Sequence, residues 1–93
     1  MIIESSQIQD GSTLEADLVI VGSGPAGMSI ARAFEGSETR VLLLESGGKG
    51  SEAKVNALNE GIQSGRKYFD LNKCRSRFFG GSSNCWSGWC MPF

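Results

Sequence analysis

The sequence predicts an α/β fold: the opening strand, turn, helix and strand of a doubly wound parallel sheet, incomplete within 93 residues. Three observations predict it. An apolar run, Ala16 to Val21, leads straight into Gly22-Ser23-Gly24-Pro25-Ala26-Gly27. A helical pattern follows over Pro25 to Glu35, and a second apolar run, Val41 to Leu44, ends in Glu45.

The elements follow in chain order. Residues 1–15 are polar and carry the turn signal Asp10-Gly11-Ser12, so they read as a tail ahead of a unit over 16–93. Ala16 to Val21 is short, continuous and β-branched, the pattern of a strand covered on both faces. Ala26, Ile30, Ala33 and Phe34 recur at helical spacing, and Gly36 ends that run. Val41 to Leu44 repeats the buried-strand pattern. Ser46 to Ser51 reads as loop, and Glu52 to Glu60 as a helix with Val55, Leu58 and Ile62 on its inner face. Tyr68 to Leu71 is mixed, and Gly80 to Phe93 reads as loop.

Composition narrows the function classes. Lys and Arg number 9 against 10 Asp and Glu, and no basic block tracks a phosphate backbone, so a nucleic-acid partner is not expected. No apolar run nears the roughly 18 residues that cross a bilayer, and the first residues lack a basic segment followed by an apolar one, so a cytoplasmic chain without membrane contact is expected. Three cysteines, Cys74, Cys85 and Cys90, form no CxxC pair, and without histidine they make a poor metal set. Cys74 and Cys90 are therefore read as inert thiols. The 13 glycines gather where a ligand could approach backbone.

The first glycine cluster has the chemistry of a pyrophosphate cradle. Gly22 permits the sharp exit from the strand, Gly24 clears room for phosphate, and Gly27 lets the helix pack close to the strands. The helix N-terminus offers unpaired N–H groups and the positive end of its dipole. Pro25 lacks an N–H but suits a first helical turn. Ser23 and Ala26 complete the candidate turn. Glu45 follows Gly27 by 18 residues, at the end of the second strand, where a carboxylate accepts hydrogen bonds from ribose hydroxyls and repels a 2′-phosphate. Ser46 adjoins it. Strand, turn, helix and acid in this order point to a Rossmann-like dinucleotide site.

A third segment, Arg75-Ser76-Arg77-Phe78-Phe79-Gly80-Gly81-Ser82-Ser83-Asn84-Cys85-Trp86-Ser87-Gly88-Trp89, resembles the glucose–methanol–choline oxidoreductase family. So do Val19 to Gly27 and Leu42 to Gly48, although many flavoproteins share those two pieces. The resemblance runs from about Ala16 to Phe93, with a loose stretch over 49–73. It implies FAD as cofactor and an alcohol or sugar as substrate of the full-length protein, oxidised by hydride transfer to flavin N5. It also implies that Gly80, Gly81, Ser82, Ser83, Asn84 and Cys85 pass the pyrophosphate and the flavin. Glycines there admit backbone, serine hydroxyls can donate, and successive N–H groups can form an anion nest. Arg75 and Arg77 are either phosphate contacts or solvated cations, and Arg77 joins the candidate set.

The chain departs from the family at Cys85. In several members the matching residue is a histidine bonded covalently to the flavin; this chain has no histidine, so noncovalent FAD is expected. A cysteinyl bond is chemically open, and an apolar packing role near the flavin is the plainer reading of Cys85. Trp86 and Trp89 read as packing residues, with a place beside the flavin left open. The family's base resembles a histidine far along the chain, so the 93 residues are expected to be an FAD-binding fragment, inactive alone and marginal in stability. Two other readings stay open. One is a stand-alone nucleotide-binding module or small subunit completed by a partner chain. The other is a flavin or NAD enzyme of another family that shares the first motif.

Overall fold

The computed structural model describes residues 1–85. It is an α/β unit in which strand β1 (Leu18–Val21), helix α1 (Pro25–Ala33) and strand β2 (Val41–Leu44) follow one another, and the two strands pair in parallel. Leu18 stands opposite Val41 and Val21 opposite Leu44, so both expected strands lie in register along their whole length. Three β-branched residues in four favour the extended chain of β1. The strand is two residues shorter than the apolar run because Asp17 has another task. Its carboxylate accepts from the Arg40 backbone N–H at 2.8 Å and from Arg40 Nη2 at 2.9 Å. The bidentate pair ties the two strands at their N-terminal ends.

α1 starts with Gly24 as its cap and Pro25 in the first turn. It stops at Ala33, two residues before Glu35, because the chain tightens there: Phe34 N–H donates to Ala31 O and Glu35 N–H to Arg32 O, each three residues back. Ser37 then closes the turn, donating to Phe34 O from its backbone at 3.0 Å and from its hydroxyl at 2.8 Å. α1 lies on the face of the sheet that carries Ile20, whose Cγ2 would sit 3.2 Å from a Cβ on Gly27.

The stretch 52–60 is helical but broken: α2 (Ala53–Asn56) gives way to a 3₁₀ turn over Ala57–Asn59. The expected inner face is corrected. Val55 is only half-buried, Leu58 is 65% exposed and Ile62 fully exposed, while the buried residue is Asn59. Side-chain amides decide this face. Asn56 Nδ2 donates to Asn72 O at 2.7 Å, and Asn59 bridges to the segment after α3 (Leu71–Cys74). The tail contains one short 3₁₀ turn, Ser5–Gln7, and Gly81–Cys85 forms another where loop was expected. Trp86, Trp89 and Cys90 lie outside the described residues.

Among the described residues Ile20 is the one large apolar side chain classed as buried. α1 covers one face of the sheet. The other carries Val19, Val21 and Leu44, with Val21 84% exposed. Parallel sheets are normally covered on both faces, and two strands seldom stand alone. The isolated 93-residue chain is therefore expected to be only marginally stable, with a low melting temperature. Differential scanning calorimetry checks this, and a melt above about 60 °C without ligand would overturn it. No helix among the described residues is long and apolar enough to cross a membrane.

Candidate functional site

Three glycine-bearing turns from distant parts of the chain meet at the C-terminal end of the two strands. The first is Gly22–Gly27. Gly22 N–H still belongs to the ladder, donating to Leu44 O at 2.7 Å, while its φ of +97° turns the chain out of the sheet, a conformation open to glycine. Gly24 has open space where a side chain would stand, with nothing within 4 Å of a built Cβ. Gly27 is the reverse: a Cβ there would run into the Gly22 carbonyl oxygen. Met28 N–H bonds to Gly24 O, and Pro25 has no N–H. Ala26 and Gly27 thus hold the first-turn N–H groups that have no intrahelical acceptor.

The second turn follows β2. Glu45 Oε2 accepts from Ser23 N–H at 2.9 Å and from Ser23 Oγ at 2.6 Å. Its Oε1 accepts from Gly47 N–H at 3.1 Å and, more distantly, from Ser46 Oγ at 3.4 Å. Partial burial works to raise the carboxyl pKa, but the Ser23 hydroxyl, together with the Ser23, Gly47 and Ser46 N–H groups, outweighs it and holds the carboxyl below its usual value. A native pKa below the unfolded value of about 4.3 stabilises the fold fully above that pH. The contribution is lost as pH falls below it through the native value. Urea midpoints measured from pH 6 to pH 3 should fall, and Glu45→Gln should flatten part of that fall. The part from Asp17, lowered by its hydrogen bonds to Arg40, should remain.

The third turn reaches back to the other two. Gly80 N–H donates to Ser23 Oγ at 3.1 Å across 57 residues of sequence, and a Cβ on Gly81 would lie 3.8 Å from Gly24 Cα. Both glycines have positive φ, +87° and +59°. Arg77 is half-buried, with Nε donating to Asn59 Oδ1 at 2.7 Å and Nη1 to Ser46 Oγ at 3.3 Å. It stands beside Glu45: Val21, Gly22, Leu44, Glu45, Ser46 and Arg77 line one cleft of about 340 Å³. A larger groove of about 700 Å³ runs beside α1, near Met28, Phe34 and Val41, and shares only Pro25 with the candidate set.

The polar side chains of the third turn work inward. Ser83 Oγ donates to Gly80 O at 2.6 Å, and Asn84 Nδ2 donates to Phe79 O and Gly81 O, each at 3.0 Å. Ser82 Oγ accepts from Ser76 N–H at 3.1 Å and keeps its own proton to donate. Of the two serine hydroxyls expected to be able to donate, Ser83 spends its proton holding the turn together, and the Ser82 proton is left over. The Cys85 thiol is exposed, 3.4 Å from Ser76 Oγ. Arg75 is exposed, while its carbonyl accepts from Asn59.

Two residues outside the sequence-based set organise the site. Asn59 fixes Arg77, and nothing in its helical stretch marks it from sequence. Gly47 lies against the third segment, a Cβ there meeting Arg77 C at 2.6 Å and Phe78 Cα at 2.7 Å. Its place in a glycine cluster was the available signal. No group of three or more His, Cys, Asp or Glu among the described residues could hold a metal.

The arrangement combines a helix N-terminus with free donors, a carboxylate in a part-apolar cleft and a second glycine turn abutting the first. It defines a class: a parallel α/β unit with first-turn donors, a carboxylate and two glycine turns gathered at its strand ends. Compared with protein-family models, curated proteins and solved structures, the chain matches none.

Proposed function

We propose that the chain is the FAD-binding N-terminal segment of an oxidoreductase of the glucose–methanol–choline type, with a Rossmann-like cofactor fold and a cytoplasmic setting. The full-length protein then acts on CH–OH groups of alcohols or sugars. The observation that carries the reading is the meeting of Gly80–Gly81 with Gly24 and Ser23 at the start of α1. A lone glycine turn after a strand is a weak signal. A second glycine turn brought onto it from 57 residues away gives a diphosphate two backbone walls.

The residues present fit the cofactor. Ala26 and Gly27 N–H groups would meet the pyrophosphate, and the open face of Gly24 would leave room for it. Glu45, with Val21, Leu44 and Arg77 around its cleft, would take the adenosine ribose at Oε1 in place of its long bond from Ser46 Oγ, its other acceptor sites being held by Ser23 and Gly47. FAD held this way supplies the hydride acceptor at flavin N5. The chain contains no histidine, so in this reading the base that takes the substrate hydroxyl proton lies elsewhere in the protein. A second reading, a nucleotide-binding subunit completed by a partner chain, is favoured by the uncovered sheet face at Val19, Val21 and Leu44.

Titration of the 93-residue chain with FAD, NAD and NADP by calorimetry tests the proposal. FAD should bind and the nicotinamide nucleotides should not; NAD binding in preference to FAD overturns it. Gly24→Ala is the specific probe. Its Cβ enters open space at an ordinary φ of −67°, so the fold should keep its stability within about 0.5 kcal/mol. FAD affinity should fall tenfold or more, because the methyl group occupies the phosphate approach.

A further inference from the structure

We propose that Ser23 is a positioning residue: its buried hydroxyl, donating to Glu45 and accepting from Gly80, sets the third glycine turn against the start of α1. The inference deepens the FAD reading above, and rests on it for the consequence for ligand binding alone.

A hydroxyl has one proton to donate and two lone pairs to accept with. Ser23 is fully buried, so no water competes for either. Its proton goes to Glu45 Oε2 at 2.6 Å, the short distance of a charge-assisted bond. With the proton committed there, a lone pair faces Gly80 N–H at 3.1 Å. The ionised carboxylate thereby orients the hydroxyl, and the hydroxyl receives the third turn. An amide oxygen at the Oε2 position would keep that orientation, whereas a carboxyl group protonated on Oε2 donates instead of accepting and removes it. The Ser23 proton is then free to rotate, and any share of its time spent toward Gly80 N–H sets donor against donor.

The surroundings single out Glu45 as the group that sets this state. The cation beside it is Arg77, from the third segment, held by Asn59 and touching Ser46. The positive end of α1 lies on the Ser23 side. Farther along its own loop, Glu52 Oε1 lies near Gly48. β1 contributes Val21 and the turn contributes Gly22 and Ser23, all uncharged. Other contacts place the third turn against Gly48 and Gly24, but the Ser23 bond is the one that joins it to the carboxylate.

Amide NMR of the full chain reads this without any ligand. In the wild type the Gly80 amide shift should follow the Glu45 carboxyl as pH is lowered from 6 to 3. In Ser23→Ala that response should vanish, and hydrogen exchange at Gly80 should speed up at least tenfold. Exchange at Leu18, whose amide bonds to Arg40 O at the far end of the strand, should change less than twofold. Glu45→Gln separates positioning from simple loss of structure: Gly80 should stay protected and cease to respond to pH. A Gly80 amide that titrates or stays protected in Ser23→Ala as in the wild type overturns the proposal. In the ligand arm, FAD affinity should fall about tenfold in Ser23→Ala. If the wild type binds no FAD while Ser23→Ala still frees Gly80, the FAD reading falls and the positioning role of Ser23 is supported.

Discussion

Gly27→Ala should be the most damaging single-methyl change in this chain. The added Cβ points into the packed contact between α1 and the strand end, where it runs into the Gly22 carbonyl oxygen and crowds Ile20 Cγ2. Neither neighbour can yield cheaply. Gly22 N–H is held by Leu44 O in the ladder, and Ile20 is the buried apolar residue on which α1 rests. Relief requires α1 to move off the sheet, exposing Ile20 and pulling the first-turn N–H groups out of line. Overpacking of this kind costs about 1–3 kcal/mol, and more where backbone must shift. With one buried apolar side chain among the described residues, the unit has little stability to lose. Far-ultraviolet circular dichroism should show helix loss, and the FAD binding proposed above should disappear together with it. Gly24→Ala, three residues away, should lose binding with the fold kept. Equal helix content in the two variants would show that the Gly27 contact does not govern the packing of α1.

Gly47→Ala should act on a different joint. Its Cβ would run into the Arg77 carbonyl and lie 2.7 Å from Phe78 Cα, so the third segment could no longer lie against the end of β2. The bonds that follow from that docking should go with it. These are Phe79 N–H to Gly48 O at 3.0 Å, Gly80 N–H to Ser23 Oγ at 3.1 Å and Arg77 Nη1 to Ser46 Oγ at 3.3 Å. Keeping the docking against the added methyl group would cost about 1–3 kcal/mol on the same overpacking scale. β1, α1 and β2 do not depend on it, so the Asp17 and Leu18 amides that bond to Arg40 O should keep their protection. Phe79 and Gly80 should exchange freely, and trypsin should cut faster after Arg75 and Arg77. Unchanged cleavage there, with the variant folded, would refute this account.

The site was legible from sequence in proportion to how local its parts are. Gly22, Gly24, Gly27 and Glu45 stand out because a strand, a turn and a helix place them through chain geometry alone. Ser23 was visible only as a member of the turn. Its partners, Glu45 and Gly80, lie 22 and 57 residues away, and no periodicity links them to it. Asn59 was not legible for a similar reason. Spacing put Val55, Leu58 and Ile62 inward, but the neighbouring segment offers a guanidinium and a carbonyl at that face, and an amide satisfies both. Ser83 and Asn84 belong to the segment expected to pass the cofactor, yet in a glycine-rich turn the nearest unsatisfied groups are its own carbonyls, and their side chains donate to these.

By itself the sequence determined the βαβ order, the register-competent strands and the glycine turn that ends β1. These follow from β-branched runs, helical spacing and the steric freedom of glycine, all of which act over a few residues. Only the tertiary structure decided that Glu45 is engaged by Ser23, that Arg77 stands beside it, and that the third turn rests on the first. Those outcomes depend on which polar groups are shut away from water together, and a buried donor or acceptor must find its partner wherever in the chain that partner lies.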